Sequence, residues 1–417
     1  MRVLPQFTRI GAVLFGLAAH SLSFCIASAA EPVIQKQTLF KAGENGVVLY
    51  RIPGMVVTPK GTVLAYCEAR RHSRGDWGEI EVHLRRSTDG GNTWTPARAI
   101  AHSGERIEGN PHKPAEGRNE QTVNNPVAIV DGKTGVIHFL YCVNYARCFY
   151  MKSDDEGATF SAPKEITQAF EPFRKWCDWK VLATGPGHGL QLRNGRLAVP
   201  IWIAYGKAGA HAPSMSGTIY SDDQGITWQA GDIAFPNTPT WKNPNETALV
   251  ELSDGSVMLN ARTTANANRR LVAVSPNGAT DWTIPRFDAA LLDPKCMGSL
   301  LRIPSGSAQG RLLFCHPYNL KYDAGGREVP GGYGARKNLS IQISEDDGLT
   351  WSAPKTVEEG PSAYSDLGLL PDGSVLCFYE CKDTLAIAHL SSEWVNFPAA
   401  PTGVGPVERQ VFGGPSR

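Results

Sequence analysis

Short runs of alternating apolar and polar residues recur along the chain. "GEIEVHLRRS" ends at Ser87, "RCFYMKS" at Ser153, "SGTIYS" at Ser221 and "KNLSIQIS" at Ser344. A period of two is the mark of a β-strand with one buried face. Each run leads into the same kind of turn: "STDGGNTW" at 87–94, "SDDEGATF" at 153–160, "SDDQGITW" at 221–228 and "SEDDGLTW" at 344–351. A worn copy, "SPNGATDW", lies at 275–282. In such a turn the Asp accepts bonds from N–H groups, the Gly supplies a positive φ, and the Trp lays an apolar ring over the strands. Each motif is expected to join two antiparallel strands.

Between these turns lie further strand pairs, each two apolar runs around a Gly-containing turn: "AIVDGKTGVIHFLYCV", "LQLRNGRLAVPIWI", "ALVELSDGSVMLNAR", "LLRIPSGSAQGRLLFC" and "LGLLPDGSVLCFYE". "GMVVTPKGTVLAYCE" makes six. The turn motifs themselves are spaced by 66, 68, 54 and 69 residues. A long, fairly even period of short strands points to radial repetition. The expected fold is all-β: a six-bladed β-propeller with Asp-box turns, in one domain over about 35–395, with a C-terminal tail over 396–417. No helical periodicity of any length is visible. The repeated turn is structural, so function has to be read elsewhere.

Composition adds bounds. Lys and Arg number 41 against 40 Asp and Glu, with no basic run, so nothing points to nucleic acid. Residues 1–30 read as an export signal: Arg2 and Arg9, an apolar segment, then small residues before Glu31. An exported protein, secreted or periplasmic, is expected, with no integral membrane span once that signal is removed. Eight cysteines follow the signal in no metal-binding pattern. Cys67, Cys142 and Cys377 lie in apolar runs and read as small buried hydrophobes.

A set of charges remains in strand-like contexts. Arg51 stands in "YRIPG", Arg262 ends "VMLNAR", and Arg336 stands in "YGARKNLS". Asp76 lies in "RGDWGEI", Glu246 in "NPNETALVEL", Tyr364 in "SAYSDLG" and Glu380 in "CFYE". A strand arginine is costly to bury without an anion. Three from different blades could converge on one carboxylate through forked hydrogen bonds.

In this order the residues resemble those of bacterial exo-α-sialidases of the neuraminidase superfamily, over about Tyr50 to Glu380. The resemblance implies that Arg51, Arg262 and Arg336 clamp the carboxylate of sialic acid. It implies Tyr364 as nucleophile, Glu246 as the base that activates it, and Asp76 as acid/base. Glu380 would hold Arg51, and Arg70 in "CEARR" would face the outer edge of the sugar ring. Glu79 and Glu81 are neighbouring rivals to Asp76. Asn125 in "VNNPVAIVD" reads as a pocket or turn residue, and His188 in "GPGHGL" as a pocket or surface-loop residue. The chemistry agrees: a neutral Tyr approaches an anomeric carbon bearing a carboxylate without the repulsion an anionic nucleophile meets. Sialidases are the known Tyr exception among glycosidases, so the resemblance carries that assignment. Asp76 can supply the leaving-group proton if its charged form is disfavoured. Terminal α-linked sialic acids of glycans are the implied substrates, with no metal or organic cofactor. The alternatives are a trans-sialidase, a hydrolase of a related nonulosonic acid, or a non-catalytic Asp-box propeller binding glycan or protein.

Overall fold

In a computed structural model the chain is described at Met1 and over residues 33–101, 120–304, 311–329 and 335–396. The export-signal reading and nearly all of the expected tail lie outside the described residues. The alternating runs become antiparallel strands. Leu49–Val57, Val63–Arg70, Ile80–Ser87 and Arg98–Ala99 form one four-stranded sheet in chain order. Thr247–Glu251, Val257–Ala261, Arg269–Ser275 and Arg286–Leu292 form another. Two five-stranded sheets contain Val123–Val130 and Leu197–Ala204 respectively. In the first of these, Gly187–His188 adds a short parallel strand to Val123–Val130.

The six separate blades expected from the sequence are not what the pairing gives. Five sheets have four strands or more, because the last is a continuous sheet of seven strands. The cause is the fifteen-residue strand Lys355–Leu369. Its first half, from Lys355 to Pro361, pairs with Lys337–Ser344, and its second half, from Ser362, pairs with Val375–Cys381. At the other edge, Ile34–Lys41 pairs antiparallel with Thr384–Leu390, so the first described strand closes onto the last.

Consecutive sheets bury their faces against each other. Leu64 and Val82 share a core with Phe139 and Met151 of the next sheet. Val127 and Leu140 share one with Val199 and Ile219 of the sheet after that. The architecture is an all-β, propeller-like ring of sheets. The Asp-box turns help fasten it. In the first, Gly91 N–H donates to Ser87 Oγ (2.8 Å) and Thr93 N–H to Asp89 Oδ1 (2.9 Å). Asp155, Asp223 and Asp346 repeat the arrangement, and Asn277 takes the Asp role in the worn copy. The glycine also permits close approach. A Cβ on Gly157 would lie 2.4 Å from Leu64 Cδ2 of the preceding sheet. One on Gly91 would lie 3.3 Å from Leu376 Cδ1 of the seven-stranded sheet. Each of these turns therefore docks on the neighbouring sheet as well as joining its own strands.

Cys67, Cys142 and Cys377 are buried free thiols, as expected. The short 3-10 segment Thr167–Lys175, which buries Ala169, Phe170 and Phe173, was not legible as a helix in the sequence. No described helix is long and apolar enough to cross a membrane.

Candidate active site

The strand carrying Arg51 breaks its own regularity. Its register with Val63–Arg70 shifts between Arg51 and Gly54, and Ile52 has φ 59°. A β-branched residue before proline is strained there, at a cost of about 1–3 kcal/mol. The conformation is held from outside. Glu380 takes Arg51 Nε (2.9 Å), Arg51 Nη2 (3.1 Å) and the Ile52 N–H (3.1 Å). Gly54 has no side chain where a Cβ would lie 2.1 Å from Tyr66 Cε2. Arg-Ile-Pro-Gly is thus a bulge that fixes a guanidinium, and Glu380 is its anchor.

Glu246 and Arg262 come together through hairpin register. Thr247 faces Ala261, and one step further the Arg262 N–H donates to Glu246 O (2.9 Å). Their side chains form an ion pair, Arg262 Nη1 donating to Glu246 Oε2. The other carboxylate oxygen accepts from Tyr364 OH at 2.5 Å, and Arg262 Nη1 donates to that same phenol oxygen at 2.7 Å. Arg51 and Arg336 flank the Tyr364 ring, their Cζ atoms 4.9 and 5.2 Å from its centroid. Arg336 Nη2 donates to Lys295 O at 2.5 Å. Three guanidinium groups therefore surround one buried phenol. Glu380 pairs with Arg51 and Glu246 with Arg262, and guanidinium groups gathered in this way suit an incoming anion.

Protonation follows from this surrounding. Burial pushes Tyr364 well above the ordinary phenol range, Glu246 adds to the rise, and Arg262 and the other two arginines act against it. Burial works against the charge on Glu246, but Arg262 beside it outweighs that and holds the carboxyl below its usual range. The pair is a neutral phenol and an ionised acceptor.

Asp76 lies on the loop between Val63–Arg70 and Ile80–Ser87, its side chain 40% exposed. Arg70 Nη2 lies 2.9 Å from its Oδ1 and Arg51 Nη1 3.8 Å away. Burial opposes its charge, but Arg70 and Arg51 outweigh that and hold Asp76 below the usual carboxylate range. The condition of a disfavoured charge is therefore not met by these side chains alone, which favour the carboxylate. The rivals are engaged elsewhere. Glu81 is taken by Arg71 (2.7 Å) and His83 (2.8 Å), and Glu79 accepts from the Gln121 N–H (3.1 Å).

Arg70 is positioned by a residue the sequence reading passed over. Glu68, fully buried two positions earlier on the same strand, accepts from Arg70 Nη2 at 2.8 Å. The i, i+2 spacing in "CEAR" was the available signal. Asn125 sits behind this pair rather than at the clamp. Its N–H donates to Glu68 Oε1 (3.0 Å), and its amide Nδ2 donates to Thr184 O (3.0 Å). His188 is not a surface-loop residue, because it lies on the short strand Gly187–His188 and is largely buried. Its Nδ1 pairs with the buried carboxylate of Asp366 at 2.7 Å. An aromatic group unnoticed in the sequence packs beside Asp76: Trp77 and His211 lie 4.8 and 4.6 Å from the Tyr145 ring.

Known proteins are similar to this chain in sequence and fold. Residues 61–377 match the BNR repeat-like domain. A sialidase of Micromonospora viridifaciens is 30% identical over 393 residues, 89% of this chain and 56% of that protein. The chain thus spans little more than half of that relative. Sialidase-2 of Cricetulus griseus is 30% identical over 388 residues, 86% of this chain and 95% of that protein. Among solved structures, a Hadza microbial sialidase superposes with a TM-score of 0.69 at 26% identity, covering 85% of this chain and 68% of that one. An intramolecular trans-sialidase of Ruminococcus gnavus shares the fold, with a TM-score of 0.66 at 18% identity over 87% of this chain and 98% of that one. By its repeats, its sequence and its relatives, the chain belongs to the BNR-repeat sialidase family.

Proposed function

We propose that this chain is a retaining exo-α-sialidase that removes terminal α-linked sialic acids from glycans, with Tyr364 as nucleophile. The observation that carries the reading is the Tyr364–Glu246 hydrogen bond of 2.5 Å inside three guanidinium groups. Arg51, Arg262 and Arg336 hold the sugar carboxylate, and Arg70 faces the outer edge of the ring. As Tyr364 Oη bonds to the anomeric carbon, its proton passes to Glu246. The bond from that carbon to the leaving oxygen breaks, and Asp76 gives that oxygen a proton. Water, deprotonated by Asp76, then displaces the tyrosyl oxygen, which takes its proton back from Glu246. Two displacements at one carbon leave the configuration unchanged. The arginines supply the electrostatic stabilisation throughout.

Asp76 must be protonated for the first step, although Arg70 and Arg51 favour its charge. A substrate carboxylate on Arg51 offsets part of that field, and the sugar excludes water from Asp76. Both changes raise its proton affinity when the acid is needed.

Hydrolysis and transfer differ only in what resolves the tyrosyl intermediate, water or a sugar hydroxyl, and the shared fold of the trans-sialidase keeps both within reach of this site. We also read the seven-stranded sheet as two blades sharing Lys355–Leu369, which makes six, and residues 1–30 as the export signal of a secreted or periplasmic enzyme. Release of the aglycone from an aryl α-sialoside, with and without a glycan acceptor, tests the activity. No release anywhere from about pH 4 to 8 would sink the enzymatic reading and leave a binding propeller.

A further inference from the structure

One fully buried carboxylate is unused by the mechanism above. Asp366 lies two residues beyond Tyr364 on the strand Lys355–Leu369 and is 0% exposed. It accepts from three other strands. The Met55 N–H reaches Oδ2 at 2.8 Å, while Ser299 Oγ (2.8 Å) and His188 Nδ1 (2.7 Å) reach Oδ1. Each contact lies a short step along the chain from the site. Met55 is four residues after Arg51 on the strand Leu49–Val57. Ser299 is four residues after Lys295, whose carbonyl receives Arg336. His188 belongs to the short strand on Val123–Val130.

The two layers are in contact. Tyr364 packs with Ile52, Cys296 and Met297. Met297 in turn meets the Asp366 layer, where a Cβ on Gly187 would lie 2.5 Å from Met297 Cε and 3.5 Å from Asp366 Oδ1. Burial opposes a charged imidazole at His188, but Asp366 beside it outweighs this and moves the ring above its ordinary value. Asp366 is therefore met by donors from three other strands and is not a spare polar contact. A buried charge holds its partners in place because leaving any of them unpaired is expensive.

We infer that Asp366, through Met55, Ser299 and His188, is a positioning residue that sets Tyr364 against the strands bearing Arg51 and the Arg336 carbonyl partner. It touches neither substrate nor the reacting atoms. The inference rests on the reading of Tyr364 as nucleophile. A displacement of about 1 Å between reacting groups can lower a rate on the order of 100-fold. The carboxylate clamp tolerates such a shift better, because attraction between charges weakens gradually with distance while bond formation needs near-contact geometry.

Asp366→Asn keeps the shape but replaces one acceptor oxygen by an N–H donor, so either Met55, or both Ser299 and His188, lose their acceptor. Ser299→Ala removes one donor and leaves the carboxylate paired with the other two. Both variants are to be assayed as the full chain on an aryl α-sialoside, per folded molecule counted from the unfolding transition. Binding of the unreactive 2,3-didehydro sugar acid is measured alongside. The expected result is a kcat loss of about 30- to 100-fold for Asp366→Asn and about 3- to 10-fold for Ser299→Ala, with the dissociation constant of the unreactive acid within about threefold. A merely structural carboxylate predicts lower melting temperatures with kcat per folded molecule within about twofold, and that result overturns the inference. Should Asp366→Asn fail to fold, Ser299→Ala and His188→Gln decide on the same criterion. A wild-type chain without turnover refutes the function itself, and one labelled by a 3-fluoro-sialosyl fluoride away from Tyr364 refutes the nucleophile; both are seen before any variant is made.

Discussion

Glu246→Gln isolates the base. The amide keeps the shape of the side chain and its place across from Arg262, but it cannot take the Tyr364 proton. General-base assistance contributes about 10²- to 10⁴-fold. Two structural effects shift the expectation within that range. Glu246 is one of the groups that raise Tyr364, after burial, so removing its charge leaves the arginines to lower the phenol and makes the proton easier to lose. That compensates in part. Against it, Arg262 Nη1 exchanges a charge-assisted bond to Glu246 for a neutral one, at about 1 kcal/mol, and its contact with the phenol oxygen loosens. The loss in kcat should therefore fall near the lower half of the range, about 10²- to 10³-fold. The assay is saturating turnover of an aryl α-sialoside, whose leaving group needs little help from Asp76. Thermal melting run alongside confirms that the variant is folded. A folded Glu246→Gln enzyme within about threefold of wild-type kcat would refute the assignment of Glu246 as base.

Arg336→Lys loses the fork, and the lysine must choose between Lys295 O and the substrate. The expected loss in kcat/KM is about 10- to 150-fold, the equivalent of 1.5–3 kcal/mol, and wild-type kcat/KM would remove Arg336 from the clamp. Asp155→Ala removes bonds to Ser153 Oγ, Thr159 N and Thr159 Oγ1 in an exposed turn, so stability should fall by about 1 kcal/mol and Tm by about 2 °C, with turnover per folded molecule unchanged. Normal melting with lost activity would place that turn in the site instead. Asp76 is held below its ordinary value in the free enzyme, so its protonated form becomes scarcer by tenfold for each pH unit above that value. Natural glycosides should lose kcat/KM as pH rises through the neutral range, while an activated aryl sialoside should decline less steeply; superimposable profiles would argue against Asp76 as the acid.

What could be read in advance follows the range of the interactions. Local turn chemistry was legible: Ser, Asp, Gly, Thr and an aromatic residue within eight residues define each of the four full boxes wherever it falls. Hairpin register was nearly so, since the turn in "ALVELSDGSVMLNAR" places Glu246 across from Arg262 by counting outward. The sheet count was not. Gly360–Pro361 reads locally as a break, yet Pro361 pairs with Lys337 and the strand continues from Lys355 to Leu369. Tertiary pairing overrode a turn signal there. The electrostatic state of Asp76 was also hidden, because it depends on Arg70 and Arg51 reaching it from two strands. Asp366 stood in plain view beside Tyr364, but its partners come from Met55, His188 and Ser299, far away in sequence. A motif marks such a residue without saying what it holds.

Trapping the intermediate tests the central claim, a covalent bond between Tyr364 and the anomeric carbon. A 3-fluoro-sialosyl fluoride slows both displacements by destabilising positive charge at that carbon, but its good leaving group lets the first proceed, so the intermediate accumulates. Peptide mass mapping should place the sugar on Tyr364, in the peptide containing "SAYSDLG", and Tyr364→Phe should abolish the label. A sugar found on Glu246 or Asp76 of the wild-type enzyme, with Tyr364 unmodified, would contradict the mechanism even if sialidase activity were present.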